Sequence, residues 1–316
     1  PKLEVHFLDI GQGDSALLFC GDEALLIDGG KVKNNQKLIA RLKELEVDHL
    51  DAVICSHPDE DHCGGLSAVL ASTRTDAFYC SVDSWHTKAF SDVTKYVAEQ
   101  GISVTVPQAG DTFAFSDASV EFLGPVVDYG DDPNEGSLVA RVRYGETSFL
   151  FTGDMGFEAE DDMLAAGVDV SATVLKVAHH GSAGSSSTEF LQAVHPQYAV
   201  ISVGADNDYG HPTEAALNRL SACGIPVYRT DLLGEIIAVS DGKTVTITSA
   251  SNEAPPASDA ASQTTGSYGY VGNSSSKVVH LASCGKLPGE SNRVYFASLD
   301  EALAAGYRKH ASCLGS

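Results

Sequence analysis

Along residues 1–248, the histidines and aspartates that could carry chemistry fall repeatedly just after a short apolar run. Leu3–Leu8 leads into Asp9-Ile10-Gly11-Gln12-Gly13-Asp14-Ser15, and Ala24–Ile27 ends in Asp28-Gly29-Gly30. Ala52–Cys55 runs into Ser56-His57-Pro58-Asp59-Glu60-Asp61-His62-Cys63-Gly64-Gly65, and Glu146–Thr152 into Gly153-Asp154. Thr173–Val177 precedes Ala178-His179-His180-Gly181, and Tyr198–Val203 precedes Asn207-Asp208-Tyr209-Gly210-His211-Pro212. Short apolar runs bounded by turn residues read as buried strands. Polar side chains at successive strand ends can meet along one sheet edge, where α/β proteins usually place their sites. Each Asp-containing loop taken alone is more simply an Asx turn. Their recurrence moves the balance toward a shared site, modestly for Asp14 and less for Asp28.

The ten residues from Ser56 to Gly65 are the densest part of the pattern. His57, Asp59, Asp61 and His62 place two imidazoles and two carboxylates within six positions. Imidazole nitrogen mixed with carboxylate oxygen suits Zn, Mn or Fe better than Ca or Mg. A solvated acidic turn with incidental histidines is the competing reading, and this density argues against it. A pair of ions about 3.5–4 Å apart would share a bridging carboxylate and hydroxide, and Asp154 is placed for that bridge.

The remaining elements follow from periodicity and punctuation. Helices are expected at 35–46, 66–71, 91–100 (stopping at Gly101), 157–166 and 188–194. Another is expected at Thr213–Cys223, opened by Pro212 and closed by Gly224. A hairpin turning at Gly145 joins strands 137–144 and 146–152. Residues 249–266, small and polar throughout, read as a flexible linker between residues 1–248 and a module at 267–316. That module holds His280-x3-Cys284 and His310-x2-Cys313, metal-spaced pairs that point to a Cys2His2 zinc site. In so short a module the ion would supply stability that the core cannot.

No apolar run approaches the ~20 residues that span a membrane. The net charge of −23 sets a surface that repels polyanions and argues against tight non-specific DNA binding. Residues 267–316 carry five Lys/Arg against three Asp/Glu, a local +2, so residues 1–266 hold −25. Any nucleic-acid contact outside the metal site is therefore expected in the C-terminal module. Seven cysteines show no disulfide rhythm, and Cys20 and Cys55, within apolar runs, read as buried thiols.

His57-x-Asp59-x-Asp61-His62 with Gly64-Gly65 resembles the second motif of the metallo-β-lactamase superfamily, in the form with aspartate at its third position. That form is typical of the ComEC-type competence-protein hydrolases. Residues 7–15, 26–30, 151–154, 175–182 and 209–212 agree in the expected order. The resemblance implies an α+β chain, with a four-layer αββα metallo-β-lactamase sandwich and a small C-terminal α+β zinc-type module. It implies a hydrolase site with one or two Zn or Mn ions held by His57, Asp59, Asp61, His62, Asp154 and one of His179 and His180, with His180 favoured. The other histidine would bond a phosphoryl oxygen or protonate a leaving group, His211 would touch substrate from the rim, and Asp14 or Asp59 would orient the hydroxide. The superfamily's third-motif histidine is absent: His86 fits no pattern, and Asn134-Glu135-Gly136-Ser137 stands in its place. The C-terminal module is similar to the metal-binding domain of the Ada DNA-repair protein. Because His280 and His310 replace two of its four cysteines, a structural zinc is expected rather than methyl transfer.

These readings lead to a metal-dependent hydrolase of phosphodiesters, a DNase related to DNA uptake. One alternative is a hydrolase of a small phosphodiester or lactone, which the acidity favours. Another is a non-catalytic DNA- or surface-binding protein, against which the intact central cluster argues. The resemblance, the Ala/Ser/Pro linker and a first residue Pro1 point to an extracellular or cell-surface protein whose leader was trimmed.

Overall fold

The computed structural model describes residues 2–205, 207–251, 270–281, 284, 286–289, 292–296 and 299–314. From residue 252 on, the expected 249–266 linker lies outside the described residues. Two mixed sheets stack face to face. The first runs Val245–Ser249, Ile236–Ser240, Leu3–Phe7, Ala16–Cys20, Glu23–Ile27, Ala52–Cys55, Phe78–Cys80, Val104–Thr105. The second runs Val227–Arg229, Tyr198–Ile201, Val174–Lys176, Thr147–Phe151, Val139–Tyr144, Ala118–Gly124, Thr112–Phe115. In each sheet, antiparallel hairpins give way to parallel strands returned by helices. Most site-bearing loops leave those parallel strands, while residues 8–15 leave Leu3–Phe7, antiparallel to both its neighbours.

The side-chain period of two sorts the apolar residues into layers. Phe7, Leu18, Leu25 and Ile54 face Val120, Phe122, Val142 and Phe149 between the sheets. Their strand neighbours Leu17, Leu26 and Val53 turn outward under Leu38, Leu66, Val69 and Phe90 of the helices on that side. Leu150, Leu175 and Ala199 do the same under Met163, Phe190, Leu191 and Leu220. Strands covered on both faces lose polar alternation, so Ala52–Cys55 is buried throughout. Helices outside two packed sheets make the αββα sandwich.

Helix boundaries differ from the sequence expectation where caps decide. The helix at Lys88–Glu99 starts before Ser91, because the Thr87 hydroxyl accepts the Phe90 amide. The next expected start also moves. Thr213, not Pro212, opens Glu214–Ala222 by accepting from the Ala216 amide, and Pro212 stays outside. Asn35–Glu44 stops short of Glu46, which sits at φ +58°.

The C-terminal module is a four-stranded sheet in the order Arg293–Phe296, Tyr270–Asn273, Val278–Leu281, Arg308–Lys309. Val279, Val294, Phe296, Ala302 and Tyr307 fill its small core. Gly272 is obligatory there, since an added Cβ would lie 2.6 Å from the Tyr307 ring.

Candidate metal centre

Three loops are stitched together before any side chain takes part. The Asp14 amide donates to the Asp61 carbonyl, the Gly29 amide to the His62 carbonyl and the Gly30 amide to the Asp14 carbonyl. The approach is so close that a Cβ on Gly13 would lie 2.3 Å from the Asp61 carbonyl oxygen. One on Gly65 would lie 2.1 Å from that of Gly29. The glycines flanking the aspartates thus hold residues 11–15, 28–30 and 57–65 as one body. The central cluster turns through its own short helix, Glu60–Cys63, which the sequence pattern does not announce.

On this base the histidine orientations are set from behind. Ser56 donates its amide and hydroxyl to Asp28, each at 2.7 Å, and Asp28 also accepts from His62 Nδ1 at 2.9 Å. With its hydrogen committed to Asp28, the Ser56 oxygen accepts from His57 Nδ1 at 3.0 Å. His180 Nδ1 donates to the Ser202 carbonyl at 2.9 Å. In all three rings the proton is fixed on Nδ1, so Nε2 presents a lone pair inward.

Those lone pairs converge on carboxylate oxygens. His62 Nε2 lies 3.1 Å from Asp154 Oδ1, and His180 Nε2 lies 3.4 Å from Asp61 Oδ2 and 3.5 Å from Asp154 Oδ2. The Nε2 atoms of His57, His62 and His180 and Oδ1 of Asp154 are buried without a hydrogen-bond partner among the described residues. Facing lone pairs at these distances repel unless a cation lies between them. The donors therefore fit a transition-metal ion, with a proton as its substitute when the ion is missing.

The electrostatics follow from that substitution. Burial opposes charge on His180, but Asp154 and Asp14 outweigh it and push its pKa to about 10. His62 is likewise raised against burial, by Asp154 and Asp28. Burial alone would raise Asp154, yet the charges on His62 and His180 hold it well below the usual carboxylate range. Asp61 is lowered in the same way against burial, by the close approach of His180 and the charge on His62. His57, desolvated and beside charged His62, falls to about 3.

Asp14 sits behind His180 rather than in front of it. Its carboxylate pairs with the buried Lys176 ammonium and lies 3.1 Å from His180 Nδ1. Asp14, His62, Asp154 and His180 together offer ligand atoms within 4.8 Å of one another. Asp59 is more open, with 38% of its side chain exposed and 3.8 Å from His57 Nε2. Burial and the neighbouring Asp61 charge raise its pKa.

His179 and His180 both adopt left-handed backbone, at φ +51° and +53°, a costly conformation for such residues. The double turn sends His180 inward and leaves His179 at the rim, its Nε2 3.7 Å from Asp154. His211 is half-buried beside it, and burial, then the His180 and His179 charges, lower its pKa to about 4. These two histidines, Asp59, Asp61, Asp154, Gln12, Asn134 and Tyr209 line an open cleft over the cluster.

Other residues entered the site without a sequence signal strong enough to select them. Lys176 reads as strand, and Asp28 as a turn. Ser137 accepts the Asp154 amide at 3.1 Å, and Glu135 accepts the amides of Gly156 and Ala159. Residues 134–137 therefore shape the Asp154 loop, while His86 lies exposed beside Trp85. The serine loop after His180 rests on a buried pair. Glu160 accepts the amides of Ser186 and Ser187, while Arg219 donates to the carbonyls of Ala183, Ser185 and Ser186. Burial lifts the Glu160 carboxyl to about 7.

A second donor cluster lies in the C-terminal module. His280, Cys284, His310 and Cys313 offer ligand atoms within 4.8 Å of one another, with His310 Nδ1 3.2 Å from Cys313 Sγ and 3.8 Å from Cys284 Sγ. His280 Nδ1 is buried and unpartnered among the described residues. Mixed sulfur and imidazole donors in this number fit a closed tetrahedral zinc site.

The family model that describes the metallo-β-lactamase superfamily matches residues 8–205. The chain is 31% identical over 251 residues to ComE operon protein 3 of Bacillus subtilis, covering 74% of this chain and 32% of that protein. It is 36% identical over 230 residues to Competence protein ComA of Neisseria gonorrhoeae, covering 72% and 31%. The chain thus spans about a third of the length of these curated relatives. Among solved structures, the metallo-β-lactamase fold protein YhfI from Bacillus subtilis aligns with TM-score 0.52 at 14% identity, covering 78% of this chain and 100% of that one. At that identity the likeness is one of fold.

Proposed function

The chain belongs to the metallo-β-lactamase superfamily, and on that premise we propose that it is a metal-dependent hydrolase of phosphodiester bonds that acts on DNA. The observation that carries this reading is the set of inward, unpartnered donor atoms on His57, His62, His180 and Asp154 beneath an open cleft. His57, Asp59, Asp61, His62, Asp154 and His180 would hold one or two ions of the Zn or Mn type. Such ions lower the pKa of a bound water to about 7 and offset phosphate charge. The protein's own part is orientation and proton transfer. Asp28, Ser56 and Ser202 keep the three imidazoles in the tautomer that binds. Asp14, neutralised by Lys176, steadies His180, and half-exposed Asp59 orients the attacking water. His179, at the rim beside Asp154, is placed to donate a proton to the leaving oxygen, and neutral His211 to bond a phosphoryl oxygen. The name of one curated relative, Competence protein ComA, supports DNA as substrate.

The test is Asp154→Asn, which removes the carboxylate shared by His62 and His180. Cleavage of single-stranded DNA should vanish while circular dichroism still shows the fold, and full activity would sink the assignment. The −25 charge on residues 1–266 favours a second reading, a small phosphodiester or lactone. Turnover confined to a small aryl phosphodiester or lactone would select it. We propose that His280, Cys284, His310 and Cys313 hold a structural zinc in an Ada-like module, and that the protein is extracellular or at the cell surface. Fractionation of cells producing the natural protein tests that placement.

A further inference from the structure

Tyr209 is out of place for an aromatic residue in this chain. It is 59% exposed, yet its backbone is anchored at the mouth of the cleft over the candidate metal centre. Asn207 does the holding: its Oδ1 accepts the amides of Tyr209 and His211, and its Nδ2 donates to the carbonyls of Gly204 and His211. The ring lies nearly parallel to that of His211, 24° between planes and 5.7 Å between centroids. The ring thus lies beside the groups that would handle the phosphate.

The charge beside it is equally unusual. Residues 29–43 carry Lys31, Lys33, Lys37, Arg41 and Lys43 and no acidic residue, within a segment of net −25. Lys37 is paired with Asp9, and Arg41 with Glu44 and Glu235. Lys31, by contrast, reaches to the cleft, with Nζ 3.5 Å from the Tyr209 hydroxyl and 5.2 Å from its ring centroid. Lys33, two residues on in the chain, is exposed. A planar face, a cation and a hydrolytic centre in sequence match a ligand with a planar base, a phosphate and a neighbouring phosphate.

We propose that Tyr209 is a base-stacking residue that, with Lys31, makes this site select phosphodiesters bearing an unpaired nucleobase. The inference rests on the phosphodiesterase reading above. Stacking is sequence-tolerant because every base has a π-face, whereas a paired base in a duplex has that face covered. Single strands and nucleoside esters are therefore the substrates preferred over duplexes and base-less diesters.

The test compares two esters with one leaving group, thymidine 5′-(4-nitrophenyl) phosphate and methyl 4-nitrophenyl phosphate. Tyr209→Ala should lower kcat/KM on the thymidine ester by about 5- to 150-fold, the range for loss of one stacked base. The methyl ester should stay within about twofold, and Tyr209→Phe should keep both rates. Equal loss on both esters would mean that Tyr209 only steadies His211, and would overturn the proposal, as would no loss on either. If the wild-type chain cleaves neither ester, the phosphodiesterase reading falls by itself. Binding then decides the platform: fluorescence anisotropy of a labelled oligothymidylate on the Asp154→Asn chain, with and without Tyr209→Ala. At least about fivefold weaker binding upholds the stacking role, and unchanged binding overturns it.

Discussion

Replacing Asp28 by Asn should weaken metal binding without touching a candidate ligand. Asp28 sits at φ +59°, a region that Asn tolerates, so the backbone need not move. The amide oxygen can keep the Ser56 N–H bond, but an NH2 group then replaces the oxygen that accepted from His62 Nδ1. Two donors cannot face each other, so His62 shifts its proton to Nε2 and accepts on Nδ1. That N–H now points at Asp154, where the proposed ion would sit. Restoring the binding tautomer breaks a hydrogen bond and opposes two donors in a buried setting. The cost is about 1–3 kcal/mol, a loss of roughly 5- to 150-fold in affinity. Changes behind metal-bound histidines typically have this size. Chelator competition with Mn and Zn, on wild-type and variant protein, reads it directly. Affinities within about twofold of each other, with the fold retained, would refute the tautomer argument.

Other consequences follow from the same geometry. Because His180 and His62 hold protons that an ion must displace, metal binding should release protons and strengthen as pH rises toward 10. Calorimetry in buffers of different ionisation heat checks this, and heat independent of buffer would count against it. Glu160 has a folded pKa raised from 4.5 to about 7. Its stabilising contribution is thus full below 4.5 and lost as pH rises through 7, a swing of about 3 kcal/mol. The Tm difference between wild type and Glu160→Gln should change across that window, and a constant difference from pH 5 to 8 would be the contrary result. Gly65→Ala should destabilise by at least about 1–3 kcal/mol, because its Cβ meets the Gly29 carbonyl. A melt within one degree of wild type would be inconsistent with that contact. Cys313→Ala should remove one zinc per chain by elemental analysis while leaving the other metal, and unchanged zinc content would exclude the Cys/His site.

The sequence alone determined what local chemistry can determine. The alternation of buried runs and turn residues set most strands, and the hairpin turns at Gly145, which has φ +59°. The helix at Thr188–Val194 lies where periodicity put it. Dense His/Asp motifs at strand ends marked where the donor cluster gathers, because residue type and spacing are properties of a short segment. The tertiary structure decided which side chains face which. His180 rather than His179 turns inward because two left-handed residues and the Ser202 carbonyl orient it. Asp28, which reads as an Asx turn, becomes the group that fixes His62, and Lys176, which reads as a strand residue, becomes the counter-charge of Asp14. Arg219 supports a loop more than thirty residues before it. These roles depend on partners far apart in the chain, brought together by the stacking of two sheets. No local propensity carries the identity of such a partner, so only the packed fold assigns it.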